Sequence, residues 1–361
     1  MGLSKDQRAA YTKQIRVAAG PPAIPMTDGA VTALVALTAR DLAGSGVTAV
    51  SPGLRRLAAR AAHLPELYEA APASAFELDV TEPPIVLYEQ LIASGEDIDT
   101  YFRCLAELHK RRLRYENILS SQAFPRMEQV GPRAMLEYGH TEPAALAVLL
   151  TWRKWIYDID NRSAQETGYL FEPALAGALG GVSVSARDSR VRRLGDKAGG
   201  RQVDCLLETA EGRWAYEFKI RVTIASSGQG RWQEEMSFPA EVAASGYTPV
   251  LLVFDATQNQ KLTALSAAYR YAGGKAYAGE DAWEHLERRS GPVMALFVDK
   301  YLRGPLTALF QYEPDRDALP SIELSMGDEQ ILVSIDGRTS MTIKRGADAD
   351  GSVENELEYD G

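Results

Sequence analysis

The sequence predicts an α/β protein: a helical N-terminal half, a sheet-bearing core and a C-terminal extension of helices and strands. Three observations carry that expectation. The first 150 residues read as mostly helical, with apolar positions at helical spacing. The stretch RQVDCLLETAEGRWAYEFKIR, residues 201–221, alternates apolar and polar side chains in two strand-length runs. TPVLLVFD, 248–255, is a continuous apolar run of the kind found in strands covered on both faces.

The elements follow in order. VTALVALTARDLAGSG (31–46) and GLRRLAARAAHLPELYEAA (53–71) have the Ala, Leu and Arg content of helices. A Pro- and Ser-containing link covers 72–86. A second helical set runs from Pro84 to about Ser120, and a third begins at Pro143, a favoured first-turn position. No internal repeat is visible. The texture changes at Asn161. SAQETGYLFEPALAGALGG predicts a helix with Pro173 as a potential kink and Gly180-Gly181 as its stop. VSVSAR (182–187) reads as a strand, and the basic loop RDSRVRRLGDKAGGR leads into the hairpin. A loop and a helix follow Lys219, then the strand at 248–255. KLTALSAAYRYAGG and GPVMALFVDKYLRG read as helices, and SIELSMGDEQILVSIDGRTSMTIKR as a β-meander with a hairpin cue at Asp336-Gly337. The expected divisions are 1–160 helical, 161–258 core, 259–346 extension and 347–361 an acidic, disordered tail.

With 45% apolar and 24% charged residues, the chain has the composition of a soluble globular protein, and it lacks an apolar run long enough to span a membrane. The polar N-terminus MGLSKDQRAAYTKQIR has no signal core, so a cytoplasmic protein is expected. Cys104 and Cys205 supply neither a disulfide framework nor, with four histidines, a soft-metal site; Cys205 reads as a small buried hydrophobe. The net charge of −10 speaks against a nucleic-acid partner until its distribution is considered. Six acids and no base lie in 347–361, which leaves −4 elsewhere, and a local basic cleft matters more to DNA than the total.

The hairpin holds the chemistry. Side chains alternate along a strand, so Trp214, Tyr216, Phe218 and Ile220 share one face and Ala215, Glu217 and Lys219 the other. In the first strand Val203, Cys205 and Leu207 oppose Asp204, Leu206 and Glu208. A four-residue loop, 209–212, pairs Glu208 with Arg213, Leu206 with Ala215 and Asp204 with Glu217. Two carboxylates set opposite each other repel unless a cation lies between them. A hard ion such as Mg²⁺ is typically held by one or two carboxylates and a phosphate, and Lys219 on the same face can orient water and offset phosphate charge. The bland alternative is a solvated, charged hairpin.

Val203-Asp204 followed by Glu217-Phe218-Lys219 resembles the PD-(D/E)xK nuclease signature, with Val in place of Pro. The order helix, three strands, helix, strand over about 163–255 is that of the core it resembles, a mixed sheet flanked by helices. SAQETGYLFEP (163–173) and YEFKIRVTIASSGQGRWQEEMSFP (216–239) resemble the ApaLI-like type II restriction endonucleases. That resemblance implies a homodimer cutting double-stranded DNA at a short palindrome, leaving 5′-phosphate and 3′-hydroxyl ends, with a cognate DNA methyltransferase as genetic partner. It implies Mg²⁺ on Asp204, Glu217 and the Phe218 carbonyl, with Lys219 acting on the attacking water. Some related nucleases add a Glu from the preceding helix. Glu166 and Glu172 are the candidates, and at about 100° per residue only one of them can face the site. The spacing from Gly168 selects Glu172, although Pro173 disfavours helical geometry there. The other readings are a repair, recombination or defence nuclease without palindrome specificity, and an inactive DNA-binding relative.

DNA contacts are expected from Gln229, Arg231 and Gln233 after the catalytic strand, since Arg grips guanine and Gln adenine. The alternative has Gly228 and Gly230 simply turning and Arg231 paired with Glu234 or Glu235. Arg187, Arg190, Arg192, Arg193 and Lys197 lie in the loop feeding the hairpin and suit backbone phosphates. The run His109–Arg114 either lies along DNA or is a solvated helix face balanced by Glu107 and Glu116. Trp152 and Trp155 read as core, and His140 as structural.

Overall fold

The computed structural model describes residues 3–15, 26–69, 71, 73–129, 131, 142–220, 229–255, 257, 260–311, 315, 318–327 and 329–346; within these, the side chains of 13–14, 73, 162–170, 196–198 and 229–231 are not described. His140 and residues 221–228 and 347–361, where a loop and an acidic tail are expected, lie outside the described residues.

The N-terminal region folds as α1 (Lys5–Ile15), α2 (Asp28–Ser45), α3 (Pro52–Arg60), α4 (Pro84–Ile92) and α5 (Ile98–Ser121). α2 starts at Thr27, whose hydroxyl caps the Ala30 N–H at 3.1 Å. Residues 30–39 and 41–42 of α2 contain one long buried run, so its neighbours wrap it on nearly all sides. The helix expected over 53–71 stops earlier: α3 gives way to a 3₁₀ turn at Ala61–His63, and Pro65 cannot continue it.

The next helix, α6, runs unbroken over Pro143–Ala178. It joins two segments that the sequence separates at Asn161. No Gly or Pro interrupts residues 144–167, so nothing local stops the helix where the composition changes. Pro173 is accommodated inside it. The stop lies at Gly180, with φ of 72°. Gly181 then lies so close to the sheet that a Cβ would stand 2.3 Å from Cys205 Sγ and 2.8 Å from Leu206 O.

The strands are β1 (Val182–Val184), β2 (Arg192–Arg193), β3 (Asp196–Gly200), β4 (Val203–Thr209) and β5 (Gly212–Lys219). They are followed by α7 (Gln229–Ala244), β6 (Thr248–Val253), α8 (Gln260–Tyr271), β7 (Lys275–Ala278) and α9 (Glu280–Arg289). The main sheet has the order β1-β4-β5-β6-β7, antiparallel through β5 and parallel from β5 to β7. It is a mixed sheet flanked by helices, as the sequence predicts. Four details differ. The strand at 182–187 is shorter, and the basic loop carries the two-stranded ribbon β2–β3. The hairpin loop is two residues, Ala210-Glu211, because Thr209 pairs with Gly212; the expected pairs Glu208–Arg213 and Leu206–Ala215 form, but the ladder ends at Cys205–Tyr216, so the expected Asp204–Glu217 pair is not part of it. β7 and α9 are unforeseen.

One sheet face, with Cys205, Leu207, Tyr216, Phe218, Val250 and Leu252, packs on Ala174, Leu175 and Ala178 of α6 and is continuous with the N-terminal core. The other, with Leu206, Ala215, Leu251 and Val253, packs on Phe238 and Val242 of α7 and on Leu262, Leu265 and Tyr269 of α8. Each such aliphatic side chain, fully buried, contributes on the order of 1.5–3 kcal/mol. Val203 joins this second cluster rather than the face of Cys205, at the point where the β1–β4 register shifts.

Farther on, α10 (Pro292–Val298), a π-helical stretch Asp299–Arg303 and α11 (Gly304–Phe310) replace the single helix expected there. The meander β8 (Ile322–Met326), β9 (Gln330–Ile335) and β10 (Arg338–Lys344) is antiparallel, and its tight turn places Asp336 and Gly337 at φ 49° and 72°. Ile331 and Ile343 pack on Trp155, Ile159, Trp152 and Phe124, so the tryptophans are core. Cys104 and Cys205 are free and buried. Among the described residues no helix is long and apolar enough to cross a membrane.

Candidate active site

The hairpin register positions the polar residues. Glu208 faces Arg213, with an ion pair at 3.2 Å, and Leu206 faces Ala215. One residue beyond the last pair, Cys205 with Tyr216, the Asp204 carboxylate accepts the Phe218 N–H at 2.8 Å. A side chain thus takes over a backbone hydrogen bond between the strands. Glu217 and Lys219 follow on β5, where it runs parallel to β6 and Lys219 pairs with Val253. Lys219 Nζ lies 2.9 Å from Glu217 Oε1 and 3.2 Å from Oε1 of Glu235, which comes from α7.

The electrostatics bring in Glu172 of α6. Its carboxyl is pushed up to about 7, by burial first and by Glu217 second, against the pull of Lys219. The Asp204 carboxyl is raised well above the ordinary Asp value by burial, then by Glu217 and Glu172; the Phe218 N–H and Lys219 oppose the shift only partly. Burial works against the Lys219 charge, but Glu217 and then Glu235 hold its pKa above the usual Lys value. Four carboxylates therefore share a single ammonium. Carboxylates that raise one another in this way lack positive charge.

Among the described residues, no group of three or more His, Cys, Asp or Glu is arranged to hold a metal ion. A hard divalent cation does not need one, because one or two carboxylates, water and a phosphate suffice. Asp204 and Glu217 supply oxygen donors with surplus negative charge, so the residues present fit such an ion. Glu166 has no described side chain. Glu235 is the residue the sequence reading left out of the site. In the sequence it reads only as a partner of Arg231, although its helix is the next element after β5.

The proposed DNA contacts divide. The side chains of Lys197, Gln229 and Arg231 lie outside the described residues, and Gln233 is exposed on α7. Arg190 pairs with Glu208 at 3.3 Å, and Arg193 with Glu234 at 3.0 Å. Arg192 is exposed on β2, and its N–H is held by Ser245 Oγ at 3.0 Å. The ribbon is anchored beneath by the buried pair of Arg201 and Glu241, 3.5 Å apart. On α5 the expected balance with Glu107 is present, but three side chains of the basic run turn inward rather than to solvent or DNA. Lys110 is buried against Glu107 at 2.7 Å. Arg112 lies 4.2 Å over the Phe76 ring and donates to the carbonyls of Leu67, Glu69 and Ala71. His109 is buried, and burial lowers its pKa to about 4. These three side chains serve the interior.

A mixed sheet flanked by helices, with an Asp and an E-x-K on adjoining antiparallel strands, defines a nuclease of the PD-(D/E)xK class. Residues 80–303 match the family model of the ApaLI-like restriction endonucleases, and the chain belongs to that family. It is 48% identical over 275 residues to the type II restriction enzyme ApaLI of Acetobacter pasteurianus, covering 72% of this chain and 73% of that protein. No solved structure matches it. The chain is a type II restriction endonuclease, an enzyme of site-specific DNA cleavage. Such enzymes generally use divalent metal ions.

Proposed function

We propose that the chain hydrolyses double-stranded DNA at a short palindromic site as a homodimer. The ion is Mg²⁺, held by Asp204, Glu217 and the Phe218 carbonyl. The observation that carries this reading is the convergence of Asp204, Glu217 and Glu172 around one ammonium, leaving negative charge that a divalent cation neutralises. Residues 161–258 form the catalytic core, framed by 1–160 and 259–346.

When bound, Mg²⁺ supplies charge neutralisation at the scissile phosphate and makes water more acidic. The chain's own groups do the rest. Asp204 is fixed by the Phe218 N–H and cannot swing away. The Lys219 ammonium orients the attacking water and offsets charge on the phosphate. Attack at phosphorus expels the 3′ oxygen, leaving a 5′-phosphate and a 3′-hydroxyl. Glu172, with a pKa of about 7, is poised to exchange a proton at neutral pH.

The ribbon with Arg192 and Arg193 lies on the same side of the sheet as α7 and supplies phosphate contacts, while Gln229, Arg231 and Gln233 read bases near the start of α7. The Arg193–Glu234 pair is exposed, so it contributes little and yields readily to a phosphate. The cognate DNA methyltransferase protects the same sites in the host, and both act in the cytoplasm.

Digestion of phage DNA with MgCl₂ and with EDTA tests the reading. Discrete fragments with Mg²⁺ and none with EDTA are expected, and run-off sequencing of the ends gives the site. A smear excludes palindrome specificity; intact DNA under both conditions excludes the cleavage site itself.

A further inference from the structure

We propose that Glu235 is a positioning residue that keeps the Lys219 ammonium in place when Glu217 turns to the metal ion. The inference rests on Asp204, Glu217 and Lys219 forming the cleavage site, and it concerns a residue outside that motif.

Three observations point to it. Lys219 is shared between carboxylates from two separate elements, Glu217 on β5 at 2.9 Å and Glu235 on α7 at 3.2 Å. Glu235 lies three and seven residues before Phe238 and Val242, which pack on the sheet, so one helix face delivers all three inward. Its neighbour Glu234 faces outward, paired with Arg193. Finally, Glu235 Oε2 is buried with no hydrogen-bond partner among the described residues. A buried carboxylate oxygen without a donor is costly, and such groups are retained where something outside the chain completes them.

Geometry makes the need explicit. A divalent ion on Glu217 draws on the same carboxylate that holds the ammonium at 2.9 Å. Once Glu217 engages an ion, its hold on Lys219 weakens. Glu235 then keeps an anion on the other side of the ammonium, so Lys219 neither competes for Glu217 nor swings away from the phosphate. Its unpartnered oxygen accepts a hydrogen from water in the completed site.

The test uses the full chain with Glu235→Gln, Glu235→Asp, Lys219→Met and the Gln/Met double variant. The first readout is ion affinity without DNA, from the rise in melting temperature over a MgCl₂ titration. The second is the single-turnover cleavage rate at saturating DNA, with DNA affinity measured in Ca²⁺. Gln is nearly isosteric with Glu and keeps the fold; Asp keeps the charge but withdraws it by one methylene. We expect both single Glu235 variants to cut about tenfold or more slowly while DNA affinity stays within about twofold. We expect the ion-affinity loss from Glu235→Gln to shrink by at least about half in the Lys219→Met background, the signature of a residue acting through another. A parental rate and ion affinity in Glu235→Gln overturn the proposal. So does an ion-affinity loss of equal size with and without Lys219. If the parent chain shows neither cleavage nor an ion-dependent shift, the site itself has failed, and that result is distinct from the other two.

Discussion

The carboxylate of Asp204 accepts the backbone N–H of Phe218 across the β4–β5 pair at 2.8 Å. One side chain thus bridges the two strands and forms part of the carboxylate cluster, while burial and the charges of Glu217 and Glu172 make its ionisation unfavourable. Asp204→Asn keeps an acceptor for Phe218 and removes the charge. It should raise the melting temperature of the ion-free protein while lowering cleavage by on the order of a thousandfold. Asp204→Ala should lack the thermal gain, because the Phe218 N–H loses its partner at a cost of about 1–3 kcal/mol. Calorimetry beside a cleavage assay checks both.

Removal of Glu217 or Lys219 separates binding from chemistry. Glu217→Gln and Lys219→Ala should each reduce cleavage by on the order of a hundredfold or more. Glu217→Gln should also bind DNA at least as tightly as the parent in Ca²⁺, since it removes repulsion of phosphate. Filter binding and plasmid nicking check this; near-parental cutting by either variant would contradict it.

Stability should depend on pH through Glu172. Its folded-state pKa of about 7 lies above the ordinary Glu value, so the native state holds a proton that the unfolded chain releases. The associated stability is present at low pH and is lost as pH rises towards 7. The melting temperature of the ion-free protein should fall over that window, and Glu172→Gln should flatten the curve. The thermal gain from MgCl₂ should be larger at pH 8 than at pH 6, because protons and the ion compete for the same carboxylates. A parallel pair of melting curves with and without ion, across pH, would refute this.

Two groups of arginines should behave in opposite ways. Arg112→Ala removes a stack on Phe76 and bonds to three carbonyls, and should cost about 2 kcal/mol in denaturant without changing the salt dependence of DNA binding. Arg192→Ala and Arg193→Ala should leave stability nearly unchanged and each lower the salt slope by about 1.

Gly181→Ala places a methyl where Cys205 Sγ and Leu206 O already stand. Overpacking there should destabilise the fold by about 1–3 kcal/mol or more, and it should depress cleavage as well, since the same strand carries Asp204. Paired denaturation and activity measurements check this.

The hairpin was legible because strand alternation has a fixed period and Glu208 with Arg213 sets the register. That was enough to bring Asp204 across from the Glu217-Phe218-Lys219 segment and to set Glu217 and Lys219 on a common face, but not to foresee that Asp204 takes the Phe218 N–H. Glu235 was not legible, because its approach depends on how α7 is rotated against the sheet by Phe238 and Val242, a tertiary matter. The run on α5 misled because charge density does not report exposure: Lys110 and Arg112 turn inward on a helix packed on several sides. β7 has only four residues and no alternation, and it exists by pairing with β6. The continuity of α6 was hidden by a change in composition that carries no break in backbone chemistry.

That continuity makes α6 a ruler. It carries Trp155 in the cluster beneath the meander and Glu172 in the carboxylate cluster, seventeen residues or about 26 Å apart along one rod. Inserting a single residue between them would rotate one end by about 100° relative to the other, and either the tryptophan or the carboxylate would leave its seat. The spacing between these two positions is therefore frozen in length. Evolution can exchange side chains along it, but gains and losses of residues must fall in the loops at either end.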